Sequence, residues 1–198
     1  MTDDLAVVFS ETAIAAAVRS LAGALAHDHV RDHADAPVVL VGVLKGALFF
    51  TADLARALPP ALDARIDFLA VSSYGDGDRS SGEVRLLKDT SESIEGRHVV
   101  IVEDIVDNGL TLAYLQGLLA SRRPASLRSC VLLNKPYRRK IDVTVDYVGL
   151  EAPDAFVVGY GLDYQERYRT LPYLGRLAPR ADHGYGNRLS GAGAPRFE

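Results

Sequence analysis

The sequence predicts an α/β fold in which helices flank a central, mostly parallel, twisted sheet. Residues 99–102 form an uninterrupted β-branched apolar run, typical of a strand covered on both faces in a parallel sheet. After a short turn, leucines recur at helical spacing at positions 112, 115, 118 and 119. A second apolar run, residues 37–44, is also followed by a turn and a helical segment. This repeated strand–turn–helix unit indicates an α/β architecture.

Length and composition set the outer limits of the interpretation. The chain has 198 residues, of which 48% are hydrophobic, as is typical of one globular domain. We expect a single domain at residues 1–179 and a disordered tail at 180–198, where Gly, Ala and charged residues show no periodicity. The only cysteine, Cys130, excludes an internal disulfide and is predicted to be a buried strand residue.

Charge and hydropathy also exclude several classes of partner. The formal charge of −4 argues against a nucleic-acid partner, because binding to a phosphate backbone needs clustered Lys and Arg. The N-terminus lacks the basic and apolar regions of a signal peptide, and no run of about 18 apolar residues occurs. We therefore expect a cytoplasmic protein without membrane contacts.

The first helix is predicted by apolar residues every three or four positions from Ile14 to Leu25, with Ser10 or Thr12 as its N-cap. His27, His29 and His33 lie near its end among aspartates. Their spacing matches no metal site, so a solvated helix end is predicted. Further strands are predicted at residues 67–73, 83–89, 127–133, 145–150, 155–160 and 173–177.

The acidic segment after the run at 99–102 carries the chemistry. Glu103 and Asp104 are predicted at the carboxyl end of the strand, where ligands bind in an open α/β sheet. Residues 107–111 form a turn that ends at a helix N-terminus, a site that attracts phosphate. Carboxylates beside an anion site fit a phosphorylated sugar that carries Mg²⁺. The carboxylates can accept hydrogen bonds from ribose hydroxyls and lie near the metal, while the turn holds the phosphate.

The segment EDIVDNGLT resembles the phosphoribosyl-pyrophosphate (PRPP) motif of the type I phosphoribosyltransferases. It departs from that motif at Asn108, where the family usually has Ser or Thr. The resemblance implies a type I phosphoribosyltransferase fold with a small hood subdomain and a mobile loop at about residues 73–83. It also implies that Asp107 is the catalytic base and that Glu103 and Asp104 are metal ligands. The implied PRPP-binding residues of the motif are Glu103, Asp104, Asp107, Asn108, Gly109, Leu110 and Thr111.

Two further segments resemble the pyrophosphate site of hypoxanthine-guanine phosphoribosyltransferases. Lys45 and Gly46 lie between a predicted strand and helix and resemble the loop that binds pyrophosphate, in which the bond between Leu44 and Lys45 would be cis. By the same resemblance, Ser73 and Tyr74 fold over the bound pyrophosphate and exclude water from the reacting sugar. Arg169 is implied to reach the pyrophosphate.

The segment FVVGYGLDYQERYR resembles the purine-binding end of the same family. Lys135 is implied to donate to the exocyclic oxygen of a 6-oxopurine, and Phe156 offers an aromatic face on which the base stacks. The backbone of Val157 lies at the base edge, and Asp163 helps hold a second Mg²⁺. A dinucleotide site around residues 159–161 is rejected, because the third glycine and the following helix are lacking.

The implied reaction transfers a 5-phosphoribosyl group from PRPP to hypoxanthine or guanine, with Mg²⁺, in a homodimer or homotetramer. Two alternatives stay open. One is a relative specialised for a purine analogue such as a deazapurine, and the other is a regulatory protein that binds PRPP without chemistry. The sequence does not rank hypoxanthine, guanine and xanthine, because the discriminating contacts are largely backbone carbonyls.

Overall fold

The structure is a computed structural model that describes residues 5–34, 36–73 and 84–177. This part of the chain contains two sheets, three α-helices and two short 3₁₀ helices, Pro60–Leu62 and Pro136–Arg138. The strands are β1 (Leu5–Phe9), β2 (Val38–Leu44), β3 (Arg65–Ser73), β4 (Val84–Lys88), β5 (His98–Val106), β6 (Ser126–Asn134), β7 (Tyr147–Glu151), β8 (Val157–Val158) and β9 (Leu174–Leu177). The helices are α1 (Glu11–His33), α2 (Leu48–Ala57) and α3 (Leu110–Ala120).

The larger sheet has six strands in the order β4-β3-β2-β5-β6-β7. Strands β3, β2, β5, β6 and β7 are parallel to their neighbours, and β4 pairs with β3 in the antiparallel direction. This confirms the predicted, mostly parallel sheet. Because parallel strands bring their carboxyl ends to one edge, the turns after β2, β5 and β6 meet there.

Helices cover both faces of this sheet, which explains the uninterrupted apolar run in β5. Val100 and Val102 pack in the cluster that contains α1 and α2 residues, whereas Val99 and Ile101 pack with α3. Ser10 caps α1 as predicted, because its Oγ accepts a hydrogen bond of 3.2 Å from the Ala13 N–H. Cys130 is fully buried in β6, which confirms that prediction.

A smaller antiparallel sheet of strands β1, β9 and β8 forms beside the large one. The sequence did not predict β1, because its partner β9 lies at the opposite end of the described chain and local pattern gives no sign of that pairing. The predicted strand at 155–160 is reduced to the two residues of β8. Within the described ranges, no helix is both long and apolar enough to cross a membrane.

The histidines near the end of α1 form a cluster with the first residue of β5. His29 is buried, and the ring centroids of His33 and His98 lie 3.9 Å apart in a stacked arrangement. The prediction of a solvated helix end is therefore wrong for His29, although His27 is exposed. The cause is tertiary, because the sheet brings His98 beneath the helix. No group of three or more metal-ligating side chains is arranged to hold an ion in the residues described.

Candidate active site

Glu103 and Asp104 lie inside β5, which continues to Val106, whereas the sequence analysis placed them at the end of the strand. The register with β6 explains the difference, because Glu103, Ile105 and Val106 all have partners in that strand. Successive residues in a strand point to opposite faces of the sheet, so the two carboxylates face different surroundings.

Asp104 faces the turn between β2 and α2. A Cβ added at Gly46 would lie 1.8 Å from the Asp104 Oδ2, so the backbone of Gly46 is in direct contact with this carboxylate. The preceding bond between Leu44 and Lys45 is cis, as predicted. Burial raises the pKa of Asp104 to about 6, against the opposing effect of a hydrogen bond of 2.9 Å from the Ile105 N–H to Oδ1.

Glu103 is only 5% exposed. Its Oε2 is buried and has no hydrogen-bond partner in the described part of the chain. Burial and then the nearby Asp104 raise the pKa of Glu103 well above its usual range, whereas the guanidinium of Arg139 lowers it. A buried carboxylate of this kind needs a proton, a cation or a hydroxyl donor.

Arg139 lies beside the site but was not among the predicted site residues. It is half-buried, and its Nη2 donates to the Asn134 Oδ1 at 2.5 Å. The chain folds back at this point, where the backbone N–H groups of Lys140 and Ile141 donate to the Asn108 carbonyl at 2.9 and 3.2 Å. No local signal in the sequence reveals this return to the PRPP motif.

The turn after β5 leads into α3 as predicted. Gly109 has φ +87°, and a Cβ there would lie 2.8 Å from the Ile141 carbonyl oxygen, so only glycine fits. The Asn108 Oδ1 accepts from the Leu110 N–H at 2.9 Å, so one of the amides predicted to hold phosphate is paired with a side chain. Asp107 is 39% exposed, with an oxygen 3.8 Å from the Arg138 Nη1, and Thr111 lies in the first turn of α3.

Lys135 and Phe156 are brought together at the end of β6. Lys135 is 4% exposed, and its Nζ donates to the Ala155 carbonyl at 2.8 Å, next to Phe156 in the chain. Burial lowers the pKa of Lys135. The Phe156 ring is 55% exposed and packs edge-on against Tyr164 with centroids 5.6 Å apart. Val157 is buried and pairs with β9.

The loop that follows β8 packs on the Lys45–Gly46 turn, since a Cβ at Gly161 would lie 1.9 Å from the Gly46 carbonyl oxygen. Arg169 donates to the Gly161 carbonyl at 2.8 Å and pairs with Asp163 at 2.9 Å. The fold therefore brings Lys45, Asp104, Asp163 and Arg169 to one region.

Glu166 joins the two cations of this region. Its carboxylate pairs with Lys45 at 2.9 Å and with Arg169 at 3.1 Å, and the hydrogen bond from Lys45 contributes most to lowering its pKa. Glu166 was not among the predicted site residues. The signal for it was its position three residues before Arg169.

Of the two residues predicted to fold over pyrophosphate, the structure describes only the backbone of Ser73. Ser73 is the last residue of β3. Tyr74 and the rest of the predicted loop at 73–83 lie outside the described residues, as does the predicted tail at 180–198.

Comparison with known proteins identifies the family. The model of the phosphoribosyl transferase domain matches residues 10–165. The hypoxanthine-guanine phosphoribosyltransferase of Bacillus subtilis (strain 168) is 49% identical over 173 residues, which cover 87% of this chain and 93% of the relative. This chain belongs to the hypoxanthine-guanine phosphoribosyltransferase family. The member from Mycobacterium tuberculosis (strain ATCC 25618 / H37Rv) is 55% identical over 143 residues, covering 72% of this chain and 70% of the relative.

Solved structures of the hypoxanthine-guanine phosphoribosyltransferase family have the same fold. The hypoxanthine phosphoribosyltransferase of Trypanosoma cruzi, in complex with the product IMP, is 46% identical with a TM-score of 0.81, covering 89% of this chain and 95% of that one. A hypoxanthine-guanine phosphoribosyltransferase from Bacillus anthracis is 41% identical with a TM-score of 0.80, covering 89% and 100%. These matches confirm the type I phosphoribosyltransferase fold that the sequence predicted.

Proposed function

We propose that this protein is a purine salvage enzyme that transfers the 5-phosphoribosyl group of PRPP to a 6-oxopurine, hypoxanthine or guanine. The products are the nucleoside 5′-monophosphate and pyrophosphate. The contact between Gly46 and Asp104 is the observation that carries the proposal, because it joins the predicted pyrophosphate turn to the predicted sugar-binding acids at one sheet edge. The relatives named for this activity support it.

Transfer breaks the bond between the anomeric carbon and pyrophosphate and forms a bond to a ring nitrogen of the purine. Negative charge leaves with pyrophosphate and positive charge builds on the ribose, so positioning and electrostatics dominate catalysis. Lys45 and Arg169 stabilise the leaving group, and Glu103 and Asp104 orient the sugar. The turn at 108–111 holds the 5′-phosphate.

The purine binds between Lys135 and Phe156 in this proposal. Lys135 is a buried donor with a backbone carbonyl as its present partner, so it can turn to the exocyclic oxygen of a base. The exposed face of Phe156 stacks on the ring, and the backbone of Val157 meets its edge. Asp107 accepts the proton from N7 of the purine, a role that needs a carboxylate within hydrogen-bond reach.

The donor set fits Mg²⁺. Glu103 carries a buried oxygen without a partner among the described residues, and burial raises the pKa of Asp104, so both carboxylates gain from a nearby cation. Mg²⁺ is held by one or two carboxylates together with substrate phosphates and water, so an all-protein cage is not needed. Asp163 is proposed to help hold a second Mg²⁺. When bound, Mg²⁺ supplies positive charge that stabilises the leaving pyrophosphate.

We further propose a homodimer or homotetramer. The neighbouring residues Leu48 and Phe49 on α2 are 43% and 37% exposed, and we propose that they form part of a subunit contact. A solved structure of the hypoxanthine phosphoribosyl transferase of Trypanosoma cruzi concerns the role of its C-terminal region in its oligomeric state. Sedimentation of this protein tests the proposed assembly.

A panel assay tests the proposed activity. Pyrophosphate release is followed with PRPP, Mg²⁺ and each of hypoxanthine, guanine, xanthine and a deazapurine, with reactions lacking base or metal as controls. Release with hypoxanthine or guanine is expected. Release with the deazapurine alone would assign the specialised function instead. Calorimetric binding of PRPP without release from any base would assign a regulatory role.

A further inference from the structure

Glu166 connects two cations that come from distant parts of the chain. Its Oε2 accepts from the Lys45 Nζ at 2.9 Å across 121 residues, and its Oε1 accepts from the Arg169 Nη2 at 3.1 Å. In the proposed function, Lys45 and Arg169 bind pyrophosphate. One carboxylate therefore lies where two phosphate oxygens are expected to bind, and it satisfies the same donors.

The backbone around Glu166 holds this arrangement. The Glu166 N–H donates to the Asp163 Oδ2 at 2.8 Å. Gln165, Glu166 and Tyr168 all have left-handed backbones, with φ of +53°, +63° and +74°. Such conformations are uncommon for residues other than glycine, and they persist where surrounding contacts impose them, often at functional sites. The fold of the loop therefore directs the Glu166 carboxylate toward Lys45 and Arg169.

The ion pair between Glu166 and Lys45 is exposed, so another anion can replace Glu166 on Lys45. The side chains of Lys45 and Glu166 are 67% and 65% exposed, and a pair in that setting contributes little and exchanges readily with other ions. Arg169 is 21% exposed and keeps its bonds to Asp163 and the Gly161 carbonyl when Glu166 leaves. A more highly charged anion can therefore displace the carboxylate without disturbing Arg169.

We propose that Glu166 is an internal competitor of pyrophosphate, whose carboxylate occupies Lys45 and Arg169 in the empty site. PRPP displaces it on binding, and its return to the two cations assists the release of pyrophosphate after transfer. Glu166 acts through these cations and takes no part in bond making, so it is a positioning residue. This inference rests on the proposed function.

The variant Glu166→Gln tests it, since it removes the charge and keeps the size and the backbone bond to Asp163. Calorimetry with Mg²⁺ and pyrophosphate should give a Kd lower by about threefold to tenfold, because the phosphate no longer competes with a carboxylate held by two ion pairs. The KM for PRPP should fall in parallel, and product inhibition by pyrophosphate should become stronger. Glu166→Asp, which keeps the charge on a shorter stem, should lie between wild type and Glu166→Gln.

Glu95→Gln is the matched control, because Glu95 forms an exposed pair of 2.7 Å with Arg123, separate from the Lys45 and Arg169 cluster. It should leave the pyrophosphate Kd unchanged. A Kd in Glu166→Gln equal to or weaker than wild type would overturn the inference, even with an active wild type. Wild-type protein that neither binds pyrophosphate nor consumes PRPP would instead refute the proposed function.

Discussion

The backbone of Gly46 lies directly against the carboxylate of Asp104, with no room for a β-carbon between them. Gly46→Ala would force Asp104 to rotate or the Lys45 turn to retreat, and displacements of about 1 Å cost about 100-fold in rate. We expect kcat/KM for PRPP to fall by about that factor. Gly117→Ala is the control, because a Cβ inside α3 meets nothing within 4 Å and should leave activity intact. Wild-type kinetics in Gly46→Ala would contradict the role of this contact.

Asp107→Asn tests the proposed proton acceptor. The side chain is 39% exposed and reaches the site from the turn after β5, so an amide of the same size should be accommodated. We expect kcat to fall by about 10²–10⁴-fold, the usual contribution of general base catalysis, while the calorimetric Kd for PRPP changes less than about threefold. Asp142→Asn, at an exposed position, is the control. Equal losses in turnover and PRPP binding would make Asp107 a structural residue.

Asn108→Ser tests whether the unusual residue of the PRPP motif limits affinity. The Asn108 Oδ1 occupies the Leu110 N–H, and phosphate must displace it to use that donor. Serine forms the same local bond more weakly, so the KM for PRPP should fall by about threefold. Asn108→Ala frees the amide but offers no hydroxyl, and its KM should lie above that of Asn108→Ser. A higher KM in Asn108→Ser than in wild type would show that the asparagine favours binding.

Asp104→Asn should stabilise the ligand-free protein in a pH-dependent way. Burial raises the folded-state pKa to about 6 from 3.8, so the folded state keeps a proton that the unfolded state has released. Stability from this group is therefore lost as pH rises from about 4 to 6, and the variant avoids that loss. Urea denaturation should show a gain near zero at pH 4 and on the order of 2 kcal/mol at pH 7.5. A gain that is the same at both values would contradict the assignment.

His98 should make the protein less stable in mild acid. Burial, then the neighbouring His33, His29 and Arg128, lower its pKa, so the unfolded state binds a proton that the folded state resists. The contribution of His98 to stability is complete above its unfolded pKa of about 6.5 and is lost as pH falls below it. His98→Asn should lose less stability than wild type between pH 7.5 and 5.5. His27→Asn changes an exposed histidine on α1 and should behave like wild type.

Much of the fold followed from local pattern. The buried runs of β2 and β5, the helix that Ser10 caps, and buried Cys130 were all predictable, because periodicity and capping depend on neighbours in the chain. The site motifs around Lys45, Glu103 and Asp163 were predictable by resemblance. Three features were not: the strand β1, the partial burial of Arg139 beside the turn at residues 107–111, and the stacking of His98 on His33 at the end of α1.

The sequence alone therefore determined the class of fold and which polar residues are candidates for the site, since both depend on short segments of the chain. Only the tertiary structure decided how those residues are charged and paired. Glu166 reaches Lys45 across 121 residues, and Gly46 closes on Asp104 across neighbouring strands. Such contacts depend on strand order and loop packing, and burial of the same carboxyl group then changes its pKa, which no local pattern encodes.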